Sequence, residues 1–370
     1  MKKTVVLLLA LVMALFVCGC NPKSPEITEK AEITLQDADF ITWYGRTDVN
    51  KDGSVNFDYT ASGFEVKFRG TRLSMNFTAT AWQSDINRPY VTVITDGENY
   101  RTAPYYALDT QNKTLTVEVE EGEHTVRVLK RSEAAMSRVC LNSISVENGV
   151  FLRAAERRER FIEVYGSSTT AGYGNVDCTA EDNFSTRTED GLATYGFITA
   201  EALNAECSIL ALSGGAVKTN VWGNEDNIPK LFARATYYNH SPYEPARIPD
   251  VVVINAGAND NTYINQSTGA EKEARKQAFI SAYAAFLNDL RAKYPGVKIF
   301  CCMNMANEGS TMEYLIGLAI NAAGYDTDLV LLSLPSYIGD GVGADGHPTY
   351  VTHEKAAAVL EQKIKEEMNW

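Results

Sequence analysis

The stretch Gly166-Ser167-Ser168-Thr169-Thr170 offers this chain a nucleophile. It follows the apolar run Phe161-Ile162-Glu163-Val164-Tyr165, which reads as a buried strand, and precedes the small, flexible run Ala171-Gly172-Tyr173-Gly174-Asn175. A glycine and small hydroxyl residues at a strand end make a tight turn that exposes a serine oxygen. A hydrolase built on a parallel sheet carries its nucleophile at such a turn. The serine needs a base, and the chain has 4 histidines: His124, His240, His347 and His353. His124 falls in a β-rich region, His240 in a polar loop without a nearby acid, and His353 at the start of the last predicted helix. His347 is the best candidate. It lies in the loop Gly343-Ala344-Asp345-Gly346-His347-Pro348, where Asp345 can orient the imidazole and stabilise its charge. The oxyanion of an acyl transfer needs donors from other strand ends. Leu212-Ser213-Gly214-Gly215-Ala216 exposes backbone N–H groups at its glycines, and Asn255-Ala256-Gly257-Ala258-Asn259-Asp260 offers the Asn259 amide. Each feature alone is ordinary loop chemistry. In the order Ser, Gly, Asn, His, each after a predicted strand, they point to acyl transfer through a serine.

Such loops need a parallel sheet to bring them together. Strands are expected near 161–165, 207–212, 250–255, 297–303 and 328–333, with helices between them. Phe279, Tyr283, Phe286, Leu287 and Leu290 share one helical face, as do Ala357, Leu360, Ile364 and Met368. This alternation builds a parallel sheet covered on both faces, with its ligand at the carboxyl ends of the strands. Upstream, from about Ile33 to Val146, the pattern has period two. Phe64, Val66 and Phe68, then Leu73, Met75 and Phe77, then Leu115, Val117 and Val119, then Val126 and Val128 alternate with polar residues. Turn signals at Asp52-Gly53, Arg69-Gly70, Asp96-Gly97 and Glu121-Gly122 separate the runs and imply an antiparallel sandwich or jelly roll. The expected layout is an all-β jelly roll at 33–148, a charged linker at 149–160, and an α/β/α, flavodoxin-like catalytic domain at 161–370.

A length of 370 residues suits two domains, and 45% apolar with 22% charged residues is a globular composition. The net charge of -13 leaves no broad basic face. This argues against nucleic acid or anionic membrane as the main partner, and a neutral substrate fits. Residues 1–20 read as a targeting segment, with Lys2 and Lys3 ahead of an apolar run from Thr4 to Val17 that is short for a spanning helix. Residues 21–32 begin Asn21-Pro22-Lys23-Ser24-Pro25-Glu26 and read as a solvated tether. Cys140, Cys178, Cys207, Cys301 and Cys302 match no metal spacing. Cys301 and Cys302 are adjacent in an apolar strand, face opposite sides of the sheet, and read as small buried hydrophobes. No metal or cofactor is expected, and the sequence leaves the oligomeric state open.

In the order Ser168, Gly214, Asn259, His347 the chain resembles the SGNH hydrolase superfamily, and Gly257-Ala258-Asn259-Asp260 matches its Gly-x-Asn-Asp block. Trp43-Tyr44-Gly45-Arg46, Ala61-Ser62-Gly63-Phe64, and Gly122-Glu123-His124-Thr125-Val126 leading to Lys130-Arg131-Ser132-Glu133 resemble the jelly roll of carbohydrate esterase family 2. So does the closing Asp345-Gly346-His347-Pro348. The resemblance implies an O-acetyl esterase acting on plant polysaccharides or oligosaccharides such as acetylated xylan or mannan. It makes Ser168 the nucleophile, His347 the base and Asp345 the support of His347. The Ser168 N–H, the Gly214 N–H and the Asn259 side chain form the oxyanion hole. Two positions depart from the pattern. Ser167 stands where the superfamily has an aspartate, and Gly346 where many members carry a sugar-stacking tryptophan. Trp222 and Tyr173 are the candidate replacements for that platform. The rival readings are a catalytically weakened glycan-binding surface protein and an esterase or lipase for another ester; no long apolar lid supports the lipase. Val17-Cys18-Gly19-Cys20 resembles the lipobox of bacterial lipoproteins. That implies lipidation at Cys20, export to the cell envelope, surface or periplasm, and membrane contact only through the anchor.

Overall fold

The computed structural model describes residues 28–81, 86–108, 112–223, 227–238, 242–306, 309–324 and 326–370. Cys20 with its targeting segment, and His240, lie outside the described residues.

Period-two alternation shapes the first domain. Phe64, Val66, Phe68, Leu73, Met75 and Phe77 are all buried along one strand, Gly63–Ala81. Its antiparallel partner Asn112–Lys130 adds Leu115, Val126 and Val128 to the same core. Arg69-Gly70 and Glu121-Gly122 are not the turns expected. Gly70 pairs with Gly122 inside two long strands, and the register shifts between Gly70 and Arg72. A bulge there bends both strands, so their two halves fold over one core. The strands Tyr90–Thr95 and Ser137–Glu147 flank this pair and complete the sandwich. Asp96-Gly97 is a tight turn as expected.

The domain also extends past its expected limits. Glu29–Lys30, within the expected tether, pairs with Val150–Leu152, within the expected linker, and the latter pairs with Gly63–Ala81. The charged connector is pinned to the second domain. Arg157 Nε donates to Glu206 at 2.9 Å, and Arg158 donates to Glu201 at 2.9 Å and to the Ala205 carbonyl at 2.8 Å.

The second domain is a parallel sheet whose strands follow the order second, first, third, fourth, fifth: Ala205–Ala211, Arg160–Gly166, Val251–Asn255, Lys298–Met303 and Leu329–Ser333. Helices cover both faces because the strands are apolar on both. Tyr165, Ile254 and Cys301 pack with Phe279, Tyr283, Leu287 and Leu290 of the helix Gly269–Lys293. Val164, Val253 and Cys302 pack on the other face with Ala357, Leu360 and Ile364 of the helix Tyr350–Met368. Cys301 and Cys302 therefore divide between the faces as their adjacency predicts.

Arg46 of the first domain enters the second. It is 1% exposed, pairs with Glu163 at 3.1 Å, and donates to the carbonyls of Leu231, Phe232 and Arg234 at 2.8–3.0 Å. Although its Nε finds no partner, this buried charge ties the two domains through several bonds at once.

Candidate active site

The sheet register sets the site. Gly166 pairs with Ala211 on one side and Asn255 on the other. Ser168, Gly214 and Asn259 therefore leave adjacent strands at one level, on the carboxyl edge. Ser168 opens the short helix Ser168–Ala171. The turn closes through its own backbone: the Ser167 carbonyl accepts from the Thr170 and Ala171 N–H groups at 2.9 and 3.0 Å. The Ser167 side chain is buried and makes no capping bond.

His347 Nε2 lies 2.8 Å from Ser168 Oγ. Its Nδ1 meets the Ala344 carbonyl at 3.2 Å, so the tautomer with Nδ1 protonated leaves Nε2 free to accept the serine proton. Burial lowers the His347 pKa below its usual 6.5, outweighing the Ala344 bond and the Asp345 charge. Asp345 does not play the part expected of it. Its carboxylate is exposed and accepts from the Tyr173 hydroxyl at 2.8 Å rather than from the imidazole. The cause is local backbone: Asp345 has φ 50 and Gly346 φ 75, a left-handed turn that swings the carboxylate out. Tyr173 in turn lies on His347, ring centroids 4.3 Å apart, and stacks on Phe184 at 3.8 Å. The base loop docks on the nucleophile loop by close backbone approach. The Ala344 N–H donates to the Gly174 carbonyl at 3.2 Å, and a side-chain carbon on Gly343 would sit 1.8 Å from that same oxygen.

The loop 213–219 is held from three directions. Asn259 Nδ2 donates to the Gly215 carbonyl at 2.9 Å. The buried Asp260 carboxylate accepts from the N–H groups of Val217 and Lys218 at 2.8 Å and of Thr219 at 3.2 Å. Burial pushes its pKa up to about 6 despite those donors. The Ser213 N–H goes to Glu133 Oε2 at 2.8 Å. Among the described residues, neither the Ser168 N–H nor the Gly214 N–H has an acceptor. Gly214 has φ +72, and a side-chain carbon there would meet the Trp222 ring at 2.4 Å. Trp222 is thus seated on this loop, with 71% of its surface exposed.

Residues 43–155 match the carbohydrate esterase 2 N-terminal family, and residues 164–329 match the GDSL-like lipase/acylhydrolase family. The chain is 28% identical over 363 residues to the cellulase/esterase CelE of Acetivibrio thermocellus, covering 92% of this chain but 41% of that protein. It is 25% identical over 377 residues to an acetylxylan esterase/glucomannan deacetylase of Cellvibrio japonicus, covering 98% of each. A family two carbohydrate esterase from Clostridium thermocellum, solved with cellohexaose, superposes with TM-score 0.80 at 26% identity over 89% of this chain and 99% of that one. The chain joins a carbohydrate esterase 2 N-terminal domain to a GDSL-like hydrolase domain, and its relatives in sequence and structure include family 2 carbohydrate esterases.

His353 and His124, the other described histidines, make structural contacts. His353 Nδ1 accepts from the Tyr195 N–H at 3.2 Å, and burial drives its pKa down to about 3. His124 pairs with Asp96 at 2.8 Å on the first domain. Cys140, Cys178, Cys207, Cys301 and Cys302 are free thiols, and no metal-holding cluster occurs among the described residues. Sequence reasoning missed Asp260, Glu133 and the Ala344 carbonyl. Asp260 and Glu133 do carry a signal: each ends a quoted block and is an acid where the chain should be buried. The Ala344 carbonyl carries none, because any residue supplies one.

Proposed function

We propose that this esterase removes O-acetyl groups from plant polysaccharides or oligosaccharides of the xylan or mannan type through an acetyl-serine intermediate. The observation that carries the reading is the 2.8 Å contact between His347 Nε2 and Ser168 Oγ. The neutral imidazole takes the serine proton as Oγ attacks the acetyl carbonyl. The Ser168 N–H, the Gly214 N–H and the second proton of Asn259 Nδ2 receive the developing oxyanion. The imidazolium then gives its proton to the leaving sugar hydroxyl. Water attacks the acetyl-serine with His347 again as base, and acetate leaves. The Ala344 carbonyl holds the imidazole in the required tautomer. Asp345 acts at one remove, through Tyr173.

The substrate class is supported by the acetylxylan and glucomannan activities named for the Cellvibrio relative. It is supported also by Trp222, exposed on the oxyanion loop, which offers a flat apolar surface to a sugar ring; Tyr173, the other expected platform, is covered by His347 on one face and Phe184 on the other. Open space around Gly346 widens the cleft on the base side. The test is acetate release from acetylated xylan, acetylated glucomannan and 4-nitrophenyl acetate, side by side. Ser168→Ala should release none, and Ser167→Ala should retain a measurable rate. An inactive Ser167→Ala beside an active Ser168→Ala overturns the assignment. Polysaccharide binding without acetate release would favour the glycan-binding alternative.

We propose further that the protein is exported and anchored by a lipid on Cys20, on the support of Lys2, Lys3, the apolar run and Val17-Cys18-Gly19-Cys20. Labelled palmitate should enter the wild type in bacterial cells and fail to enter Cys20→Ser.

A further inference from the structure

We propose that Glu133, a residue of the first domain, is a positioning residue for the oxyanion hole, so that the esterase site is complete only with both domains in place. The inference rests on the oxyanion role given to Gly214 above. Glu133 follows the long strand Asn112–Lys130 in the block Lys130-Arg131-Ser132-Glu133 and is fully buried. Its Oε2 accepts the Ser213 N–H at 2.8 Å across the domain boundary. Its own N–H donates to Glu189 Oε2 of the second domain at 3.1 Å. The buried Lys130 ammonium donates to the Ser132 and Glu133 carbonyls at 2.7 and 2.9 Å, which fixes the turn that carries the carboxyl group. Arg131 pairs with Asp190 at 2.9 Å, and its carbonyl accepts the Gly191 N–H at 2.9 Å. The block is therefore tied to the second domain at each end.

The consequence lies one residue beyond the bond. In the turn Leu212–Gly215 the Ser213 N–H is taken by Glu133, the Gly215 N–H by the Leu212 carbonyl at 2.9 Å, and the Gly215 carbonyl by Asn259. With both neighbours held, the Gly214 N–H is the donor left for a ligand. Glycine at φ +72 has little intrinsic preference for one orientation, so the peptide plane is set by these two anchors. A buried carboxyl group with one strong bond to a loop amide is an expensive device for packing alone. It suits an oxyanion donor, where a misplacement of about 1 Å costs on the order of 10²-fold in rate.

The experiment compares Glu133→Ala, Glu133→Asp and Glu133→Gln with wild type and with Ser168→Ala, on 4-nitrophenyl acetate and on its thionoacetate analogue. Sulfur in place of the carbonyl oxygen accepts hydrogen bonds poorly, so the oxygen-to-sulfur rate ratio reports on the oxyanion hole. Glu133→Ala should lower kcat on the oxygen ester roughly 10–100-fold with KM little changed and should lower that ratio. Glu133→Asp keeps a carboxyl group but withdraws the oxygen by one methylene, and it should show the same loss while still folding. Glu133→Gln keeps an acceptor for the Ser213 N–H and should recover most of the rate. Wild-type kcat in Glu133→Asp, or equal losses on both esters with an unchanged ratio, overturns the proposal. Activity surviving in Ser168→Ala would instead overturn the reading on which it rests.

Discussion

The two sides of Ser168 are built in opposite ways. On the base side, backbone does the holding. His347 Nδ1 rests on the Ala344 carbonyl, its carbonyl accepts the Gly343 N–H at 2.8 Å, and the loop docks on the Gly174 carbonyl. The nearest carboxylate, Asp345, is exposed and engaged by Tyr173. On the oxyanion side, buried carboxyl groups do the holding: Asp260 grips three consecutive amides and Glu133 a fourth. The difference follows from what each side must present. A general base works best as a neutral imidazole whose pKa lies near or below the working pH, and burial beside a carbonyl supplies that without a fixed negative charge. An oxyanion hole must present N–H groups in one orientation before the reaction. Carboxyl groups behind the loop take up the amides that do not face the ester and leave Gly214 exposed to it.

Breaking the base side should have the largest effect. His347→Ala removes the proton acceptor and should cost on the order of 10⁶ in kcat, the scale of losing one member of a coupled serine–histidine pair. Steady-state hydrolysis of 4-nitrophenyl acetate checks it, and a loss below 10²-fold would mean another group accepts the proton. On the oxyanion side Asn259→Ala should cost on the order of 10²–10³ in kcat, with KM nearly unchanged. A rise in KM alone would assign Asn259 to ground-state binding.

Asp260→Asn comes next and tests whether carboxylate charge is needed. Asp260 Oδ2 takes the Val217 N–H and Oδ1 those of Lys218 and Thr219, so an amide nitrogen must face a donor in either orientation. Stability should fall by about 1.5–3 kcal/mol, the worth of a hydrogen bond to a charged group, and kcat should fall about tenfold. Denaturant unfolding and turnover together check it. A variant that keeps both at wild-type values would show that the loop holds its shape without the acid.

How far the sequence foretold this site depends on which atoms do the work. The turns that bring Ser168, Gly214, Asn259 and His347 to one sheet edge were legible because strand-end turns need small or amide-bearing residues and the parallel sheet fixes where its strand ends lie; the choice of Ser168 over Ser167 came from the family resemblance alone. The five parallel strands were legible to within two residues. The long bent strands were not. Gly70 and Gly122 look like turn residues to any local rule, yet they pair with each other across the sheet, and only that distant partner decides between a turn and a bend. The support of His347 was misread for a related reason. Spacing put Asp345 two residues from the imidazole, but spacing says nothing of φ, and the left-handed turn at Asp345 and Gly346 turns the carboxylate toward Tyr173. Glu133 could be suspected as a buried acid but not tied to the site, because its partner Ser213 lies in another domain.

The smallest expected effect is the sharpest test of the comparison. If the base side is held by backbone, Asp345→Asn should change kcat by no more than about threefold, since the Ala344 carbonyl still fixes the tautomer. An acid that orients the histidine of a triad costs about 10⁴ in kcat when made an amide. The pH profile adds a direction. Activity requires neutral His347, so it is present above the His347 pKa and lost as pH falls through it. Burial places that pKa below 6.5, so the acidic limb of kcat/KM should lie below pH 6.5 in the wild type. The Asp345 charge partly offsets the burial by favouring the imidazolium. Removing that charge should let the pKa fall further and move the limb to lower pH. Tyr173→Phe keeps the ring on His347 while releasing the Asp345 carboxylate, so its limb should stay closer to the wild-type position. A 10⁴-fold loss in Asp345→Asn with an unshifted limb would make Asp345 a triad acid after all, and both sides of Ser168 would then rest on carboxylates.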